Sequence, residues 1–242
     1  MANVVNSRVE PVVNAVNNVV EMIKKGNNDE PEKVEVETNV EFIGAYKSID
    51  ENIIQETDTW CGMASTLMVL TALETSEPDS LKDDYVRPTQ SEIADRVRDW
   101  KDTGNVELMT KYLNSQLKPD AVQYRDGELA GDRWEANMVT HYIDKEEVKR
   151  RLIRSLELNR PVILNCNPYD GLNYYSDYPD SGSHYVVVEA YDKETDTFVI
   201  CDCTYIDKKY QGRHYGITIE EIHKSLRSQP NPDMDGWLIY AK

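Results

Sequence analysis

Val9, Val12, Val13, Val16, Val19, Val20 and Ile23 recur at spacings of three and four. Such a repeat is one apolar stripe on a helix. Asn14, Asn17 and Asn18 point elsewhere, and Gly26 after Lys24 and Lys25 is a stop signal. "NNDEPEK" is polar and holds a proline, the composition of a linker, and "VEVETNVEF" then alternates apolar and charged residues as a half-buried strand does. Residues 1–45 therefore form an arm with its own apolar face, a candidate pro-segment, ahead of a main domain over 46–242.

Within that domain Met63, Ala64, Leu67, Leu70 and Leu73 predict a strongly apolar, central helix over Gly62 to Leu73. "EPDSLKDDYVRP" is a polar surface loop. Thr89 and Glu92 are spaced as a capping box for a helix through Trp100, broken at Gly104, and "VELMTKYLNSQL" is a further short helix. Asp144 and Glu147 form a second box, for a helix to Leu158 with Asn159 as its stop. The period then changes. "RPVILNC" is a short apolar strand, "SHYVVVEAYD", "KETD" and "TFVICDCTY" make a hairpin of two buried strands, and "GWLIYAK" is a last strand. A capped helix, "ITIEEIHKSL" with Thr218 and Glu221 as its box, precedes that last strand. Helices first and strands later predict an α+β fold with an antiparallel sheet packed against a helical half.

Composition narrows the function. At 242 residues the chain can bury about 70% of the surface its unfolded form exposes. The formal charge of −17 repels phosphate backbones and argues against a nucleic-acid partner. No apolar run approaches the roughly 20 residues that span a bilayer. The start lacks the basic-then-apolar signature of a signal peptide, which points to the cytoplasm unless a leader has been removed. Four cysteines, Cys61, Cys166, Cys201 and Cys203, are too few for a disulfide scaffold in a chain this long. Cys201 and Cys203 flank one residue of a strand and so face the same way. A zinc site would need two more ligands, and the spacing of His214 and His223 supplies no argument for one, so no metal or other cofactor is expected.

One thiol stands apart. "QETDTWCGMASTLMVL" passes from polar to apolar at Trp60-Cys61, placing Cys61 at the mouth of the central helix. Amide groups at a helix N-terminus favour a thiolate. Gln55, across a short loop, can donate a hydrogen bond to an oxyanion beside the Cys61 backbone N–H. A base is also required. His141 precedes a helix cap, His214 lies in "QGRHYG" and His223 on a charged helix, whereas His184 opens the apolar strand "YVVVEAY". A hairpin turning near "KETD" brings the start of the first strand beside the end of the second, so His184 and Asp202 are predicted neighbours. The aspartate can then accept from one ring nitrogen and leave the other to the thiol. A buried aspartate costs several kcal/mol unless it is paired, which adds to the case.

Gln55, Trp60-Cys61-Gly62 opening a helix, Ser183-His184 opening a strand and an acidic residue ending the next strand together resemble the papain-like cysteine peptidases. "CGMA" after the glutamine, "LNRPVIL" and "SGSHYVVVEAYD…TFVICDCT" are most similar to the double-glycine, bacteriocin-processing leader peptidases. The resemblance covers Gln55 to Tyr205. It implies a papain-like fold, with Cys61 on the helical half, His184 and Asp202 on the sheet half, and an active-site cleft between them. The sequence departs from that pattern at Asp202-Cys203, where Asp-Pro is usual. The expected activity is hydrolysis of peptide bonds through an acyl-enzyme on Cys61, with His184, Asp202 and Gln55 in support. Trp60, Gly62 and Ser183, with Tyr174, Tyr175 and Tyr178 of the insert "NPYDGLNYYSDYPDSG", are candidates to line the cleft. The partner is then a peptide or protein substrate. Two other readings use the same residues: an acyl or amine transferase with a Cys-His-Asp set, and a catalytically silent papain-like binding module.

Overall fold

The computed structural model describes residues 42–44, 46–50, 52–99, 102–118, 123–125, 128–130, 133–139, 143–167, 183–204, 214–227 and 236–241. All lie in the unit Val40–Lys242. The apolar stripe of residues 9–23, the alternating segment up to residue 41, His141, Tyr174, Tyr175 and Tyr178 lie outside the described residues.

Among the described residues, α1 (Cys61–Ser76) is the central helix expected from its apolar sequence, and its residues from Cys61 to Thr66 and Met68 to Leu73 are buried. α2 (Gln90–Val97) carries the complete Thr89–Glu92 capping box. It stops three residues short of Trp100. Arg98 pairs with Gly104 as an isolated antiparallel bridge, Asn105 N donates to Val97 O at 2.8 Å, and Asp102 adopts a left-handed φ of 59°. The chain thus turns into a tight loop where helical propensity alone would have continued. α3 (Val106–Gln116) follows, capped by Asn105 Oδ1, which accepts from Leu108 N. At α4 (Lys145–Glu157) only half the expected box forms. Asp144 accepts from Glu147 N, while the Glu147 carboxylate turns to Arg150 and Arg151. Asn159 ends this helix with a left-handed φ of 52°. α5 (Ile219–Arg227) has the full Thr218–Glu221 box.

The strands are β1 (Phe42–Gly44), β2 (Gln123–Arg125), β3 (Glu128–Ala130), β4 (Trp134–Met138), β5 (Val162–Cys166), β6 (His184–Asp192), β7 (Thr197–Cys201), β8 (His214–Ile217) and β9 (Trp237–Ala241). β2 and β3 form a separate ribbon. The rest make an antiparallel sheet in the order β4-β9-β5-β6-β7-β8, with β1 added to the far end of β6. The architecture is α+β and papain-like.

Period-two alternation explains the continuous apolar run of β6, because both faces of the sheet are covered. Tyr185 and Val187, with Ile163, Cys201, Cys203 and Ile239, pack against α1, α2 and α3. Val186 and Val188, with Leu164, Cys166, Phe198 and Ile200, pack against α4 and α5. α4 precedes most of the strands in sequence, yet it lies on the face away from the central helix. Glu189 is the extra residue of a β-bulge, since Val188 pairs with Ile200 and Ala190 with Val199. Gly44, at φ +97°, lies against that bulge, where an added Cβ would come within 2.5 Å of Glu189 O. No described helix is long and apolar enough to cross a membrane.

Candidate active site

Cys61 is the first residue of α1, and Trp60 precedes it as an N-cap without a side-chain capping bond. The opening of the helix is held by close backbone approach. Gly62 meets Gly104 of the 98–104 loop so tightly that a Cβ on Gly62 would lie 3.0 Å from Gly104 Cα. Trp60 Nε1 donates to Asp102 Oδ2 in the same loop, and the Tyr185 hydroxyl donates to Gly104 O at 2.8 Å. Tyr185 belongs to β6, one residue past His184, so the loop links the helix mouth to the head of the strand.

His184 is the first residue of β6 and Asp202 the first after β7. The hairpin brings them together: His184 Nε2 lies 2.8 Å from Asp202 Oδ1. The same oxygen accepts from Thr204 N at 3.0 Å, and Asp202 is 1% exposed. The expected turn after the strand is therefore built by the aspartate side chain, without the proline of the Asp-Pro pattern. With Nε2 committed to the carboxylate, the other ring nitrogen is left for Cys61, which lies close enough to act on the ring. Burial alone would lower the imidazole pKa. The charge and hydrogen bond of Asp202, then the contact with Cys61, outweigh it and push His184 up to about 10. The imidazole is thereby favoured in its protonated form beside the carboxylate.

Gln55 is buried, and its backbone ties it to the sheet half: Gln55 N donates to Cys203 O at 2.9 Å. Its side-chain amide donates to Thr57 O at 2.9 Å. An amide nitrogen carries two donors, so one N–H remains beyond that bond. Ser183 is exposed immediately before His184.

His184, Asp202 and Cys203 offer ligand atoms within 4.8 Å of one another, so a metal site would centre on the histidine and aspartate and not on the Cys201–Cys203 pair. Zinc takes cysteine as thiolate. Burial, then the Asp202 and Cys61 charges, raise the Cys203 thiol well above its usual range. Two of the three ligand atoms are already hydrogen-bonded to each other. The group fits a proton-sharing site better than a metal centre. Cys166, paired in register with His184, is pushed up to about 12 by burial and stays a thiol.

Sequence reasoning did not find the roles of Gly104, Tyr185 and Cys203 in holding these groups. Gly104 was legible only as a helix breaker, Tyr185 only as strand core and Cys203 only as a buried thiol, because Gly62, Gly104 and Cys61, which they respectively meet, lie more than 40 residues away in the chain.

No curated protein matches the chain. Residues 50–228 of its 242 match the family model described as Peptidase_C39 like family. The matched span contains the helix mouth, the histidine strand and the aspartate, and the chain accordingly belongs to that family of papain-like cysteine peptidases.

Proposed function

We propose that the protein hydrolyses peptide bonds with Cys61 as nucleophile, His184 as general acid and base, Asp202 as the acceptor that orients the imidazole, and Gln55 as an oxyanion donor. The observation that carries this reading is the His184 ring, hydrogen-bonded to buried Asp202 and next to Cys61 at the head of α1. His184 takes the Cys61 thiol proton, and the thiolate attacks the substrate carbonyl carbon. The negative charge that develops on the carbonyl oxygen is met by the Cys61 backbone N–H and the remaining Gln55 N–H. His184 gives its proton to the leaving amine as the carbon–nitrogen bond breaks, leaving a thioester on Cys61. Water then attacks the thioester, His184 takes a proton from it, and the acid product departs as the sulfur is released.

The finer assignment, to the leader-processing branch, rests on Cys61-Gly62-Met63-Ala64 after Gln55 and on the stretch from Ser181 through Asp192. It predicts that a quenched fluorescent peptide with Gly-Gly before the scissile bond is cleaved faster than its Ala-Ala counterpart. Equal rates would remove the branch and leave the peptidase.

The reaction class is tested on Cys61→Ala. Iodoacetamide at mild pH is expected to label the parent protein at Cys61, read by peptide mapping. The variant is expected to lose that adduct and at least a thousandfold of its turnover of a quenched peptide library, because the nucleophile itself is gone. Turnover that survives the substitution would overturn the proposal.

A further inference from the structure

Cys203 is not explained by packing alone. A buried cysteine normally acts as a small apolar filler. The Cys203 sulfur instead faces oxygen atoms. It lies 3.5 Å from Cys61 O, 3.8 Å from Gln55 Oε1 and 3.9 Å from Tyr185 O. Ser65 Oγ, buried and without a hydrogen-bond partner, is close enough to act on the same thiol. The Cys203 backbone adds a further link, since its carbonyl accepts from Gln55 N at 2.9 Å. The residue is also bonded to Asp202 and fully buried.

We infer that Cys203 is a positioning residue for the oxyanion donors of the reaction proposed above, on which this inference rests. A carboxamide is planar, so holding its oxygen orients its nitrogen. Gln55 has three anchors, of which Cys203 supplies two: the backbone carbonyl and the thiol at Oε1. Thr57 O is the third, taking one N–H of Nε2. The other N–H is thereby aimed. The thiol also touches the Cys61 carbonyl, on the same Cα as the second oxyanion donor, the Cys61 N–H. One side chain thus sets the relation between two donors that come from different segments of the chain. A thiol has one proton and is a weak donor. Its effect is to bias geometry, and a small misalignment of such donors is felt in the transition state far more than in substrate binding.

The test is a double-mutant cycle on a peptide selected from a quenched fluorescent library. Cys203→Ala is expected to lower kcat about tenfold with KM within about twofold, a fraction of the loss from removing a whole oxyanion donor. Cys203→Ser, which keeps a donor, is expected to recover most of that loss. In the Gln55→Ala background, Cys203→Ala is expected to cost well under tenfold, because one of the two donors it positions is gone. The rate of Cys61 alkylation by iodoacetamide, which forms no oxyanion, is expected to be unchanged in Cys203→Ala. A tenfold loss that persists in the Gln55→Ala background overturns the inference. So does alkylation that slows in step with turnover, or a serine variant no better than alanine. If Cys203→Ala does not fold, the serine variant is used for the cycle, and any loss it shows must again shrink with Gln55→Ala. The underlying reading fails separately: it falls if Cys61→Ala keeps turnover, whereas an inactive Cys61→Ala with an additive cycle removes only the role of Cys203.

Discussion

Asp202 is a carboxylate with almost no access to water, and it is stable there because two donors, the His184 ring and Thr204 N, converge on one of its oxygens. The interaction works in both directions. The carboxylate raises the His184 pKa, and the histidine gives the buried charge a partner. Asp202→Asn keeps the shape and removes the charge, and a side-chain amide can face the ring with its NH2 group, which cannot accept from Nε2. The expected outcome is a loss of kcat/KM of roughly a hundredfold or more, the scale of general acid–base catalysis, with the fold retained by circular dichroism. Activity within a few-fold of the parent would mean that the aspartate does not orient the base. His184 and Asp202 were legible as neighbours from sequence because a hairpin imposes its own local geometry. The turn over residues 193–196 suffices to bring one strand's start beside the other's end.

At the scale of elements, the mouth of α1 depends on two glycines meeting. A Cβ on Gly104 would lie 2.8 Å from Met109 Sδ and 3.1 Å from Gly62 Cα. Methionine can yield, but the α1 backbone cannot without moving Cys61. Gly104→Ala is therefore expected to destabilise the protein by about 1–3 kcal/mol, as overpacking of a tight contact does, measured by urea unfolding. It is also expected to slow Cys61 alkylation, because the displaced loop carries partners of both Trp60 and Tyr185. An alanine variant with parent-like stability and alkylation would show that the contact has slack. The same contact accounts for the early end of α2. The capping box correctly started that helix, but its stop at Val97 follows from a loop that must turn back to reach Gly62. α4 has the same lesson. Its cap and its stop were legible from sequence, but which face of the sheet it covers was not, since either face offers apolar side chains.

For the whole molecule, the −17 charge and the buried ionisable groups make stability depend on pH in a definite direction. The folded His184 pKa, about 10, stands above its usual 6.5. Protonation therefore favours the folded state. Its contribution is complete below pH 6.5 and is lost as pH rises towards 10. The thiols of Cys166 and Cys203, raised from 9.0 by burial, act in the same direction but only from about pH 9 upward. Between pH 6.5 and 9, unfolding free energy is expected to fall by up to about 1.4 kcal/mol per pH unit from His184. Melting temperatures across this interval check it, and the slope is expected to flatten in Asp202→Asn. A parent whose melting temperature rises with pH in this interval would show that the imidazole is not held charged.

By itself the sequence determined what depends on neighbours along the chain. The alternation of strands, the spacing of the caps, the polar-to-apolar step at Cys61 and the hairpin that joins His184 to Asp202 are all local signals, within about 20 residues. Tertiary structure decided the rest: the Gly62–Gly104 contact, the two faces of the sheet, the anchoring of Gln55 and the oxygens around the Cys203 sulfur. The physical reason is that most of these contacts, such as Gly62–Gly104 and Gln55–Cys203, join segments 40 to 150 residues apart. No propensity or period encodes such a distance; it follows only when every layer has packed and each strand has settled into register.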